Sequence, residues 1–134
     1  MRGRRGTLVE DGARELLMVH SFSVWVVPHS YNKHFPPAHL VAERPPGEKR
    51  LIRIRKISHK AASVETVELK CHLDIAQFRK YLSRHKGETG SRCEIWIYTL
   101  QYGFRCFEVQ MDRIQEIPKH TLFLPVVQSA GGVA

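Results

Sequence analysis

The chain has 134 residues, of which 43% are hydrophobic and 25% are charged. This length and composition are typical of one globular domain, exclude a chain that is disordered throughout and argue against a two-domain enzyme. Twenty-one Lys and Arg residues against 13 Asp and Glu residues give a net charge of +8. Such a charge favours an anionic partner, which includes nucleic acid, acidic protein surfaces and anionic lipid.

Residues 1–48 differ in composition from the rest and are predicted to form an irregular N-terminal extension. Apolar and polar residues alternate within 20–27, which predicts one possible strand there. Five of the seven prolines fall between residues 28 and 48. Because proline fixes its own φ and lacks an amide hydrogen, this stretch is predicted to be a linker without regular structure.

An apolar run over 16–27 bears on membrane insertion and targeting. It is interrupted by His20 and two serines and is shorter than the roughly 20 residues of a membrane helix, so no contact with a membrane is expected. Several arginines precede it, which keeps organelle targeting as an alternative, but acidic residues among them are unusual in a targeting segment. Three cysteines without metal-ligand spacing predict buried, reduced thiols and an intracellular, reducing compartment.

Residues 49–128 are predicted to form the folded domain, and 129–134 a flexible tail. Asp74 is a natural N-cap for an amphipathic helix that ends before Gly87. The stretch 112–120 is polar and is predicted to be irregular. Alternation with a period of two predicts five strands, at 51–57, 64–73, 93–100, 104–111 and 121–127.

Two strands, one helix and three further strands predict an α+β domain, with a mixed sheet and one main helix packed on one face. Ubiquitin-like β-grasp domains have this order, and residues 49–128 resemble them most clearly over 114–124. The helix and the strand after it carry Phe-Arg-Lys-Tyr-Leu at 78–82 and Glu-Ile-Trp-Ile at 94–97. With these motifs the chain resembles the ubiquitin-like domain associated with Polycomb-type ring-finger proteins.

This resemblance implies a non-enzymatic protein–protein interaction module, an adaptor or complex subunit with a protein partner. It also implies a location in the nucleus, with the cytoplasm as the alternative. Alternation places Trp96 and Tyr98 on one face of their strand, and together with Phe107 they are predicted to form an apolar docking surface with a basic rim. The sequence contains no phosphate-binding loop or catalytic motif, and the histidines of the proline-rich segment are interpreted as solvated loop residues. Neither enzymatic activity nor a metal or other cofactor is expected.

A second hypothesis is a small basic domain that binds RNA or DNA or belongs to a ribonucleoprotein. Its candidate nucleic-acid-binding residues are Lys49, Arg50, Arg53, Arg55, Lys56, Arg79 and Lys80. If the strand and helix groups reach one surface they form a phosphate-binding footprint, and if they lie on opposite layers they only increase solubility. A third hypothesis is a conjugatable ubiquitin-like modifier that ends at Gly132. The oligomeric state stays open.

Overall fold

The computed structural model describes residues 3–28, 36–57, 63–88, 90–99 and 102–124. Its α-helices and strands follow the order α1 (Gly3–Val19), β1 (Ser23–Val26), β2 (Leu40–Arg44), β3 (Glu48–Lys56), α2 (Val64–Lys70), α3 (His72–Arg84), β4 (Ser91–Thr99), β5 (Gly103–Val109) and β6 (Ile114–Ile117). A short 3-10 helix, Lys119–Thr121, follows β6. The six strands form one sheet whose spatial order is the chain order, β1 to β6.

Among the described strands, β3 and β4 are the one parallel pair, and all other neighbours are antiparallel. Parallel neighbours require a long crossover, which α2 and α3 supply. The N–H of Lys49, near the start of β3, donates to the carbonyl of Gly90 at 2.8 Å. Gly90 has a φ of +84°, and a Cβ there would lie 2.5 Å from the carbonyl oxygen of Gly47. The two parallel strands can therefore start side by side only with glycine at this position.

Helices cover both faces of the sheet, which makes three layers. On one face, named the α3 face, Ile75 and Phe78 of α3 share a buried core with strand residues that include Val41, Leu51, Ile95 and Phe107. On the other, named the α1 face, Ala13 and Leu17 of α1 share a core with Leu40, Ile52, Trp96 and Cys106. None of the helices in the described part of the chain is long and apolar enough to cross a membrane.

The predicted helix is confirmed as α3, but it begins at His72 with Cys71 at its N-cap position, so the N-cap predicted at Asp74 is wrong. The side chain of Asp74 binds Arg53 and Arg55 instead. The strand predicted over 64–73 is also wrong, because these residues form α2 and the start of α3. The hydroxyl of Ser63 caps α2 by accepting a hydrogen bond from the N–H of Thr66 at 3.1 Å. The buried apolar residues repeat at helical spacing: Val67, Cys71, Ile75 and Phe78. Leu69 and Leu73, which complete the apparent alternation, are exposed.

Residues 1–48 are not an irregular extension. β1 confirms the strand predicted within 20–27, and α1 and β2 are further regular elements of this region. β1 and β2 belong to the same sheet as β3, and the boundary predicted before residue 49 lies inside β3. The prolines at 36–37 precede β2 and those at 45–46 lie in the turn after it, so they flank strands without interrupting them.

The predicted fold class is wrong. A β-grasp domain with one main helix on one face was expected, whereas three strands here precede the crossover helices, three follow them, and α1 covers the second face. The stretch 112–120, predicted to be irregular, contains β6. The described residues at 121–124 form no strand, and the rest of the last predicted strand and the predicted tail lie outside the described residues.

All three cysteines are free and buried, as the sequence predicts. Burial raises the pKa of the Cys93 thiol to about 12, and it also raises the pKa of Cys71 and of Cys106. Because the thiolate is the reactive form, these cysteines act as small core residues and not as nucleophiles.

Candidate functional site

A groove opens on the α3 face beside β1 and β2. Side chains of β1, β2 and β3 line it on the strand side. The strand register aligns Trp25 with Val41, and Glu43 with Lys49, so these side chains share the face that α3 covers. The second half of α3 closes the other side, and the cavity between helix and strands has a volume of about 710 Å³.

The groove is lined by cations and aromatic rings. Lys49 reaches it from β3, while Lys80 and Arg84 reach it from α3, where they lie one helical turn apart. Among the described lining residues, Glu43 is the one carboxylate. Trp25 forms part of the strand wall, and Tyr81 forms part of the helix wall. We call this site the basic groove; its positive charge and apolar walls suit an anionic ligand that carries a flat ring.

The ring of Tyr81 is held in place within the helix wall. It stacks on His85, with ring centroids 4.0 Å apart and planes inclined by 23°. The Nδ1 atom of His85 lies 2.7 Å from a carboxylate oxygen of Glu88, which fixes the second ring. Tyr81 also packs against the core of the α3 face. A ligand that enters the groove therefore meets an aromatic surface whose orientation is already set.

An arginine pair extends the positive charge along the same face. Arg53 and Arg55 alternate with core residues of β3 and point to the α3 face. Arg53 donates to Asp74 at 2.8 Å, and Arg55 donates through Nε and Nη2 at 2.7 Å each. Asp74 is only 3% exposed, and it lies one helical turn before Gln77, which lines the groove. Two guanidinium groups on one carboxylate leave a net charge of +1 beside the basic groove.

The carboxylate of Asp74 holds both arginines in place. Burial raises the pKa of Asp74, but the hydrogen bonds and positive charges of Arg55 and Arg53 outweigh burial, and the pKa lies below its ordinary value. A carboxyl group with a lowered pKa stabilises the fold above its unfolded-state pKa of about 3.9 and loses that contribution as the pH falls through the folded-state value.

We expect Asp74→Asn to destabilise the protein by about 1–3 kcal/mol at pH 7. Breaking a buried ion pair costs about 3–5 kcal/mol, and the partial exposure of Arg53 and Arg55 reduces that cost. Urea unfolding between pH 7 and pH 3 measures the effect, with exposed Asp112→Asn as the control. The difference between wild type and variant should shrink below about pH 4. A difference that stays constant down to pH 3 would contradict this role of Asp74.

A second charged cluster is buried on the α1 face. The guanidinium of Arg50 is fully buried, donates to Glu48 at 2.8 Å and lies 3.5 Å from Glu94. Glu94 also accepts from Arg92 at 2.6 Å and from the indole N–H of Trp96 at 2.9 Å. Because these contacts join residues of β3 to residues of β4, the cluster holds the two strands together on the α1 face.

Arg44 connects that cluster to the chain segments that cover it. It donates to Glu48 at 2.8 Å, to the carbonyl of His20 at 3.0 Å and to the carbonyl of Phe123 at 3.1 Å. The ring of Phe22 lies beneath its guanidinium, 4.2 Å from ring centroid to Cζ. These contacts tie the end of α1 and the segment after the 3-10 helix to the sheet.

The structure divides the predicted nucleic-acid-binding residues between different surfaces. Lys49, Arg53, Arg55 and Lys80 lie on the α3 face. Arg50 has the opposite strand alternation and is buried on the α1 face, and Lys56 shares that alternation but is exposed. Arg79 points away from the groove and donates to the carbonyl of Gln110 at 3.0 Å.

The predicted protein-docking residues do not form one exposed face. Trp96 and Phe107 are both fully buried, and they belong to the cores of opposite sheet faces. Tyr98 is half-buried and packs edge-on against Phe104 at 5.2 Å. α1 supplies the apolar cover over Trp96, which sequence alternation alone could not reveal because the helix lies in the region interpreted as an extension.

Within the described ranges, no group of three or more His, Cys, Asp and Glu side chains is arranged to hold a metal ion. Of the three regularly spaced histidines of the proline-rich segment, His29 and His34 lie outside the described residues. His39 accepts a hydrogen bond at Nδ1 from the backbone N–H of Ile54 at 2.9 Å. That contact connects the start of β2 to β3.

One solved structure has the same fold over most of both chains. It is the 1.6 Å resolution structure of Hjc, a Holliday junction resolvase from the hyperthermophilic archaeon Archaeoglobus fulgidus. The two superpose with a TM-score of 0.51 over 85% of this chain and 88% of that chain, and their sequences are 16% identical. No protein-family model matches the sequence, and no curated protein matches it.

This likeness corrects the interpretation drawn from the sequence. The resemblance to ubiquitin-like domains, including those of Polycomb-type ring-finger proteins, is wrong. The structural neighbour is an enzyme, which contradicts both the non-enzymatic adaptor and the expectation that no enzymatic activity exists. The conjugatable modifier and the ribonucleoprotein-associated domain fit no better, and Gly132 lies outside the described residues. The chain has the fold of a Holliday junction resolvase.

Proposed function

We propose that this chain binds branched DNA and acts in its processing, with the α3 face as its DNA-binding surface. The observation that supports the proposal is a cationic surface on one face of a resolvase fold. Its members come from β3 and α3: Lys49, Arg53, Arg55, Lys80 and Arg84. The structural neighbour is a Holliday junction resolvase, which makes a branched DNA the first substrate class to test.

The charges of this face suit a phosphate backbone. Among the described residues of this face, these five cationic side chains and the two carboxylates of Asp74 and Glu43 have a combined charge of +3. Lysine ammonium groups bind phosphates as mobile point charges, while guanidinium groups bind them with two parallel hydrogen bonds. The anchored pair Arg53 and Arg55 is already oriented by Asp74, which lowers the entropy lost when they bind an anion.

A binding assay with a four-way DNA junction tests the proposal. Fluorescence anisotropy compares an immobile junction with a linear duplex of the same arm sequence, at several salt concentrations. We expect the junction to bind at least about tenfold more tightly than the duplex, and its affinity to fall as salt rises because phosphate contacts release counterions. Strand cleavage is measured in the same samples with and without Mg²⁺ to determine whether bound junctions are cut. Equal affinity for junction and duplex would contradict recognition of a branch.

A further inference from the structure

We infer that the basic groove holds unpaired, single-stranded DNA, with a base between its aromatic walls and phosphates on its flanking cations. The inference rests on the proposed function and names the part of the DNA that the groove recognises. It concerns a different step from binding of the paired arms, because a base can enter a recessed site only when it is not stacked inside a duplex.

The size and depth of the groove favour a nucleotide over a duplex. Its volume of about 710 Å³ falls within the roughly 300–1,000 Å³ that is typical of sites for small ligands and cofactors. It is recessed between α3 and the strands β1 and β2. A duplex keeps its bases stacked, so its phosphates can contact the cations at the rim of such a site but its bases cannot enter it.

The walls of the groove provide aromatic surfaces on both sides. On the strand side, Trp25 is 47% exposed. On the helix side, Tyr81 continues into the stack with His85. Bases of single-stranded DNA stack on aromatic side chains whatever their sequence, because every base has a π face. The groove thus has the stacking surfaces that distinguish single-strand recognition from binding of a phosphate alone.

The polar lining of the groove matches the rest of a nucleotide. Of the lining residues that the structure describes, Lys49, Lys80 and Arg84 outnumber the carboxylate of Glu43, and this positive charge suits the phosphates on either side of a bound base. Gln77 adds a side-chain amide, which can donate to and accept from the edge of a base, and Glu43 adds a carboxylate, which accepts only. The charge, the aromatic rings and the polar groups of the groove therefore all favour a nucleotide as its ligand.

The test measures binding of a fluorescein-labelled oligothymidylate by anisotropy to the full chain and to three variants. Trp25→Ala should weaken binding of this unpaired DNA roughly tenfold, the loss typical of removing one stacking ring. Trp25→Phe keeps a ring and should stay within about threefold of wild type. The control is Tyr102→Ala, because Tyr102 is also 47% exposed but does not line the groove; its affinity should equal that of wild type.

Intrinsic fluorescence gives a second measurement on the unlabelled protein. The chain has two tryptophans, and Trp96 is fully buried, so quenching by added oligothymidylate should report Trp25 and disappear in Trp25→Phe. If the wild type binds the paired four-way junction but Trp25→Ala binds oligothymidylate as tightly as wild type, the inference is overturned and the proposed function stands. If the wild type binds neither DNA, both fail. Tighter binding of the matching oligouridylate would assign the groove to RNA and would also overturn the inference.

Discussion

Replacing Lys49, Lys80 and Arg84 together by alanine is expected to lower the affinity for a four-way DNA junction about 100-fold at 50 mM salt. These side chains are the cations of the basic groove, and each phosphate contact contributes about 0.9 to the slope of log affinity against log salt. The slope should therefore become shallower by about 2 to 3. Anisotropy titrations over a range of salt concentrations measure both quantities.

A charge-matched triple variant separates the groove from the general positive charge of the protein. Lys56, Lys70 and Lys119 are exposed and do not line the groove, and their replacement by alanine removes the same three charges. We expect this control to bind the junction within about threefold of wild type, because surface charges away from the ligand act only at long range. Equal losses in the two triple variants would assign binding to net charge and would reject the groove as the DNA-binding surface.

Glu94→Ala is expected to destabilise the protein by about 3–5 kcal/mol, which is the usual cost of removing one member of a buried ion pair. The side chain of Glu94 is fully buried and accepts from Arg92 and from the indole of Trp96. Its loss leaves the guanidinium of Arg50, also fully buried, with Glu48 as its remaining acidic partner. Urea unfolding at pH 7, followed by circular dichroism, measures the change in the free energy of unfolding.

The control for this variant is Glu116→Ala, which breaks a partly exposed pair of the same residue types. Glu116 binds Arg105 at 2.8 Å, and both side chains are partly exposed. Such pairs contribute about 0–1 kcal/mol. Glu94→Gln keeps an acceptor for Trp96 without the charge and should fall between the two alanine variants, which keeps the comparison possible if Glu94→Ala does not fold. If Glu94→Ala and Glu116→Ala lowered the free energy of unfolding by similar amounts, the buried cluster would not stabilise the protein more than the partly exposed pair does.

The elements that the sequence predicted correctly are those with a local signal. The helix α3 has apolar residues at helical spacing and ends close to Gly87, which adopts a φ of +91°. The hairpin of β4 and β5 has alternating residues on both sides of a turn at Gly103, with a φ of +69°. In these cases the neighbours that decide the conformation are a few positions away in the chain.

The errors arose where one pattern fits two structures. Apolar residues at 67, 69, 71 and 73 fit a strand, and the set 67, 71, 75 and 78 fits a helix equally well. The burial of the second set against the sheet decides between them. Tertiary contacts also decide the structure of the region around α1, because this helix packs on Trp96 and Ile52, which are far away in the chain.

The sequence by itself predicted one basic domain, the helix α3, the strand β1, the hairpin of β4 and β5, and the burial of the cysteines. These features depend on composition, local spacing and hydrophobicity. The tertiary structure alone decided the order of the sheet, the parallel pairing of β3 with β4 and the cover of α1 over the second face. It also decided which cations meet, since Lys49 and Lys80 join one groove only through strand register and the docking of α3. No local pattern specifies those long-range contacts, and the candidate site is made of them.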